Sequence, residues 1–269
     1  MELLTILLSG VLGLVSPVGL FLDRTGENAI RSQLKSAERL EVRIDNAPSY
    51  QILQGKVKRV RVAGRGLRLK QQDIRISALE LETDPINFDV RSLGKQPKLK
   101  RSFSAGVRLV LDQQDINSAL QSPAILARLR DLEISDLSGK DNSETRYNFV
   151  NPKVELLANN RLRFQVELTA DNNDTLAITV ESGLTVVSGR QLQLVEPVVY
   201  VNQEAVTQQL VSEIATNFNQ KLDLRILEVE GLKARILQLN VSPQKLEIVA
   251  FLRLEPSSQF FQNLQSSRN

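Results

Sequence analysis

The sequence contains no histidine, no cysteine and no tryptophan among its 269 residues. Each absence removes a class of function. Without histidine there is no Ser-His-Asp or Cys-His triad, and the commonest general base and metal ligand are missing. A zinc site would need carboxylates alone, a ligand set zinc rarely accepts. Without cysteine there is neither a disulfide framework nor a thiolate metal site. Aromatic residues make up only 4%, too few for the stacking platforms of single-strand nucleic-acid binders. The net charge is +3 and the sequence pI about 9.2. That balance suits an anionic lipid surface and is weak for a nucleic-acid binder. Paired-carboxylate hydrolysis needs no histidine. The candidate acids Asp112, Asp115, Asp171 and Asp174 nevertheless read better as helix-cap and turn residues. The expectation is a non-enzyme: no catalytic residue, no metal site, no cofactor and no nucleic-acid partner.

What the chain does have is apolar patterning. Apolar residues make up 42% and charged residues 24%, the balance of a folded globular protein. Leu3 to Val15 is almost wholly apolar, and Ser16-Pro17 then interrupts it with a helix-start signal. Residues 1–22 therefore read as a membrane anchor or embedded hairpin. A cleaved signal and a helix buried in the domain are the alternatives. As a secretory signal the segment is poor, because no Lys or Arg precedes the run and no Ala-x-Ala-like site follows it. Glu2 before the run and Arg24, Arg31 and Lys35 after it lean weakly toward a cytoplasmic C-terminal side.

Residues 23–256 read as a single domain and 257–269 as a polar tail. Asp23 to Leu40 has helical spacing at Leu22, Ile30, Leu34 and Ala37. Strand patterns follow. Leu53–Val62 and Leu67–Leu69 flank Ala63-Gly64-Arg65-Gly66, which signals a hairpin, and the parity change between Ile76 and Leu79 signals a β-bulge. After a strand through Val107, Leu109 and Leu111, Asp112 and Asp115 resemble a capping box, and Pro123 divides the helix that follows.

The second half alternates more strictly. Val154, Leu156, Leu162, Phe164, Val166 and Leu168 hold even positions, and the alternation runs on to Val198, as in an antiparallel meander with one apolar face. Asn202 then caps a helix with a stripe of Val206, Leu210, Ile214, Phe218 and Leu222. The last strand carries Ile248, Ala250 and Leu252. Residues 149–168 echo residues 236–254, each copy two strands and a tight turn after a helix, so an internal pseudo-repeat is expected. The fold class is α+β: a long curved antiparallel sheet wrapping amphipathic helices.

A one-sided sheet must cover its apolar face. Incomplete cover leaves an elongated groove suited to acyl chains, and complete cover leaves a dry core. The candidate cavity residues are Val154, Leu156, Leu162, Phe164, Val166, Leu168, Leu210, Ile214, Phe218, Ile248, Ala250 and Leu252. A basic cluster, Lys56, Lys58, Arg59, Arg61, Arg65 and Arg68, supplies candidate headgroup or membrane contacts. A solvated strand face is the alternative. A second, smaller cluster runs through Arg91, Lys95, Lys98, Lys100 and Arg101.

Two stretches carry a family resemblance. Ser49-Tyr50-Gln51-Ile52-Leu53-Gln54-Gly55-Lys56-Val57 resembles the opening of the LmeA-like phospholipid-binding family. The segment from Val107 to Leu120, with Asp112-Gln113-Gln114-Asp115-Ile116-Asn117 at its centre, looks like that family's strand and helix start. The likeness runs from about Asp23 to Leu254, in the style of cyanobacterial members. It implies a tubular lipid-binding (BPI-like) fold, phospholipid as ligand, a membrane-surface role without catalysis, and a cell-envelope location on the periplasmic side. The N-terminal charges leave the cytoplasmic side open. A membrane-anchored scaffold with a closed core is the other reading, and no protein partner is identified.

Overall fold

Antiparallel strands dominate the molecule, as its period-two patterning requires. The computed structural model describes residues 27–31, 34–45, 49–70, 74–92, 98–130, 147–170, 175–221 and 223–256, with Val11 and Ser258. In chain order the elements are α1 (Glu27–Arg31), β1 (Leu34–Ser36), β2 (Arg39–Asp45), β3 (Lys56–Val57), β4 (Arg59–Leu69), β5 (Arg75–Thr83), β6 (Ile86–Asn87), β7 (Phe103–Asp112), α2 (Gln113–Leu120), α3 (Pro123–Arg130), β8 (Tyr147–Leu156), β9 (Arg161–Ala170), β10 (Thr175–Val187), β11 (Gln191–Val201), β12 (Glu204–Ala205), α4 (Gln208–Lys221), β13 (Leu232–Ser242) and β14 (Lys245–Leu254). Short 3-10 segments cover Ser49–Gln54, Val90–Ser92 and Leu224–Glu230.

Two sheets hold most of these strands, where the sequence suggests one. The first has seven strands in the order β1-β4-β5-β7-β14-β13, with β2 also on β4; the second has the order β12-β11-β10-β9-β8; β3 and β6 form a separate pair. The two meet at the free edge of β13. Ile236 N–H donates to the Gly189 carbonyl (2.7 Å), and Val241 N–H donates to Asn160 Oδ1 (2.6 Å). Turns of the second sheet thus satisfy edge groups of the first. At the far side, Asn117 on α2 grips edge strand β8: its Oδ1 accepts from Val154 N–H (2.7 Å) and its Nδ2 donates to the Val154 carbonyl (2.9 Å). Gln113 Oε1 accepts from Leu156 N–H (2.7 Å).

Several sequence expectations hold. β8 through β11 form the predicted meander, Pro123 opens a new helix, and both echoing stretches are hairpins, β8–β9 and β13–β14. Others need correction. The helix expected to reach Leu40 stops at Arg31, and Leu34–Ser36 and Arg39–Asp45 are strands pairing with β4. No hairpin forms at Ala63–Gly66, because β4 runs straight through. Gly64 instead makes room for Leu67, whose Cδ1 lies 2.6 Å from where a Cβ would stand, and Gly66 takes a left-handed φ of 57°. The parity change in β5 is real but involves no slip in pairing with β4, whose parity changes opposite it. Asp112 occupies the N-cap position of α2 without a side-chain cap bond. Asn202 caps no helix: its φ is 51°, and its Oδ1 accepts from Ala177 N–H (3.0 Å). The helix begins later, at Gln208.

Candidate functional site

Strand alternation sorts the seven-stranded sheet into a buried face and a solvated face. On the buried face, residues in register form rows across six strands. One row runs Leu40, Gly64, Leu79, Leu109, Ile248, Leu239; the next runs Val42, Val62, Leu81, Val107, Ala250, Ile236. Most of these side chains are nearly inaccessible, and Leu79 is 0% exposed. Ile116 and Ala119 of α2 and Ile30 of α1 join the same cluster. So does Val11, from the apolar N-terminal run, at 0% exposure.

The sequence-derived cavity residues divide between the two sheets. Ile248, Ala250 and Leu252 lie on the buried face of the first. Leu156 is buried in the main cluster, and Val154 and Leu162 pack against it. Phe164 is half-buried beside Val154 and Val180 in register. Val166 and Leu168 are buried outside the main cluster, as are Val199 on β11 and Val211 and Ala215 on α4. The side chains of Leu210, Ile214 and Phe218 lie outside the described residues, as do Leu222, Asp171, Asp174, Lys95 and residues 257 and 259–269. Of the expected anchor, residues 1–22, Val11 alone is described. The polar clamps at Gln113, Asn117 and Asn160 carry no periodic signal and escape a reading by hydrophobicity.

The solvated face carries rows of charge. In register stand Arg43, Arg61, Glu82, Gly106, Phe251 and Arg235, and beside them Glu41, Ala63, Glu80, Arg108, Val249 and Gln238. Small residues at the centre leave an open depression of about 650 Å³ over Ala63, Gly106 and Val249, bordered by Leu237. Arg108 bridges it, donating to Glu247 (2.6 Å) and Glu80 (3.2 Å). These bonds, the one to Glu247 first, hold its guanidinium above the ordinary arginine value. Arg59 pairs with Glu82 (3.2 Å), and Arg61 with Asp45 (3.1 Å) and Glu82 (3.3 Å). The Asp45 carboxyl is held below the ordinary range, chiefly by its hydrogen bond from Arg43. Lys56, Lys58, Arg65 and Arg68 are exposed. The six basic candidates therefore do not form one patch: Arg59 to Arg68 spans about 30 Å of strand.

Of the candidate acids, Asp115 has a structural task. Asp115 accepts from Arg75 Nη1 (2.7 Å) and Ser77 Oγ (3.0 Å), tying α2 to β5. Among the described residues no group of three or more acidic side chains could hold a metal ion, and no helix is long and apolar enough to cross a membrane.

Comparison with known proteins adds one match. The model of the LmeA-like phospholipid-binding family matches residues 16–251. No curated protein matches the chain, and no solved structure does. The matched span takes in both sheets, the buried face and the helices packed on it, and the chain accordingly belongs to the LmeA-like phospholipid-binding family.

Proposed function

We propose that this protein is a non-enzymatic phospholipid binder or carrier that works at a membrane surface in cell-envelope or membrane maintenance. In this reading the fold is a tubular lipid-binding one built on a helix-plus-hairpin pseudo-repeat. The acyl chains lie against the buried face of the seven-stranded sheet. The observation that carries the reading is that face itself: aligned rows of aliphatic side chains with no charged member, in a chain of a phospholipid-binding family. Burial of an acyl chain there gains about 0.8 kcal/mol per methylene, so a chain of ordinary length offsets the partial displacement of a helix. The structural duties of Asp115 fit a role without catalysis.

A second reading has its own observation. Leu79, Leu109 and their neighbours are already enclosed, as in a closed core, and a membrane-bound scaffold needs no cavity. Native mass spectrometry of the full-length protein, with lipid extraction, separates the two. Phospholipid in defined stoichiometry supports the binder. A lipid-free mass that stays unchanged after incubation with phospholipid supports the scaffold and removes the carrier reading.

A further inference from the structure

Two very short strands and a returning loop build a lysine-bearing surface at one end of the seven-stranded sheet. β3 and β6 pair Lys56 with Asn87 and Val57 with Ile86. The chain then returns alongside: Phe88 bridges Leu99, and Lys100 N–H donates to the Asn87 carbonyl (2.8 Å). Lys56, Asn87 and Lys100 thus make one row across three segments. Val57, Ile86, Phe88 and Leu99 are buried beneath it. Alternation puts Lys56, Lys58, Lys98 and Lys100 on the opposite side, where all four are exposed. Lys58 and Lys98 flank the row on opposite sides, so strand spacing of about 4.8 Å and a two-residue repeat of about 6.7 Å place the four Cα atoms within a patch of roughly 10 by 13 Å. Exposed Arg101 follows directly.

Among the described residues none of these lysines enters an ion pair. The acids nearest in sequence are otherwise engaged. Asp84 accepts from Ser104 N–H (2.6 Å) and Asp89 from Arg91 N–H (3.1 Å). Asp89, opposite Lys98, is one acid against four lysines, so the cluster keeps a net positive charge that a dense anionic surface would attract. An apolar residue stands at its border: Leu53 is 72% exposed. Gly55 makes the turn from Leu53 into β3 with a φ of 77°, and a Cβ there would overlap the Phe88 carbonyl oxygen, so the turn that leads from Leu53 to Lys56 depends on glycine. At the other corner of the same end, just before β13, Ile226 and Val229 are also exposed.

We propose that this end of the sheet docks on an anionic phospholipid bilayer. Lys56, Lys58, Lys98 and Lys100 meet headgroup phosphates, and Leu53 enters the interface. Neither a nucleic acid nor an acidic protein would explain Leu53. The proposal rests on the phospholipid-binding reading and adds to it the docking surface and the sign of lipid charge. It leaves Arg65 and Arg68 off the surface, far along β4.

The test is sedimentation of the full-length protein with phosphatidylcholine vesicles, with and without phosphatidylglycerol. Phosphatidylglycerol should strengthen binding, and high salt should weaken it. Each Lys→Gln change should cost roughly fivefold in partitioning, and K56Q/K58Q/K98Q/K100Q together several-hundred-fold. A control with equal charge loss elsewhere, R65Q/R68Q/R235Q/K245Q, should stay near wild type. Because the chain has no cysteine, an environment-sensitive dye on Leu53→Cys labels one site and should shift to the blue on anionic vesicles. Equal losses in the two quadruple variants, or an unshifted dye on bound protein, overturn the proposal. So does lysine-dependent binding to a single-stranded oligonucleotide that exceeds binding to anionic vesicles. Lipid content by mass spectrometry is read in parallel. Loss of docking with lipid retained separates this surface from the acyl site. Docking without any lipid content removes the carrier reading and leaves the surface standing.

Discussion

Leu79→Ala tests whether the buried face is also the acyl site. Leu79 is fully enclosed, with Gly64 and Leu109 directly opposite it on the flanking strands. Gly64 has no side chain to fill the space, and Leu67 is already pressed against it. Six paired strands hold the frame open, so the site collapses little, and the loss should be about 3 kcal/mol. For a domain of this size that lowers Tm by roughly 6–12 °C. The void equals about three methylene groups, which an acyl chain running over it could refill at about 0.8 kcal/mol each. Saturating phospholipid should therefore raise the variant's Tm by more than the wild type's, returning about 2 kcal/mol of the loss. The assay is a pair of thermal scans for each protein, with and without lipid. Equal lipid-induced shifts would place the acyl chain elsewhere. A drop under roughly 2 °C would refute the packing argument itself, since it would mean the frame closes over the void.

Other outcomes follow from single contacts. Gly55→Ala puts a Cβ on a left-handed residue and against the Phe88 carbonyl; a loss of about 2 kcal/mol or more in chemical denaturation is expected, with weakened vesicle binding alongside. Asn117→Ala removes both bonds to Val154 and should lower the urea midpoint by an amount worth about 1–3 kcal/mol with an unchanged m-value. Asp223 caps the 3-10 segment Leu224–Glu230, and the hydrogen bond from Arg225 holds its carboxyl below the ordinary range. Its stabilisation is complete above the unfolded value of about 4 and fades as pH falls through the lower folded value. Asp223→Asn should thus lower Tm at neutral pH, and the gap to wild type should close on acidification; a pH-independent gap would contradict the assignment.

The legible parts of this fold were those with one dominant period. The even-numbered positions from Val154 to Leu168 alternate for long enough that only a strand meander satisfies them, and Pro123 leaves a helix no choice but to restart. Residues 23–40 misled because Ile30, Leu34 and Ala37 have helical spacing, whereas Leu34, Leu40 and Val42 serve β4, pairing with Leu69, Gly64 and Val62 well downstream. Tertiary pairing outweighed local spacing there. Gly64 and Gly66 look like turn residues in a string, yet one provides space for Leu67 and the other a left-handed step inside a strand. The lysine surface was visible only as two separate runs of charge. Its unity depends on strands of two residues, Lys56–Val57 and Ile86–Asn87, joined across thirty positions, and periodicity has no purchase on elements that short.

The link between the sheets bears on how the molecule opens. Ile236 N–H is held by Gly189 and Val241 N–H by Asn160, both from turns of the opposite sheet. Neither amide can exchange its hydrogen with solvent until those turns lift away. Any breathing motion wide enough to admit or release a long guest between the sheets must therefore pass through states that deprotect these two positions, while the interior ladder of β7 stays closed. Deuterium uptake at Ile236 and Val241 is thus a direct gauge of how often, and how far, the two halves part.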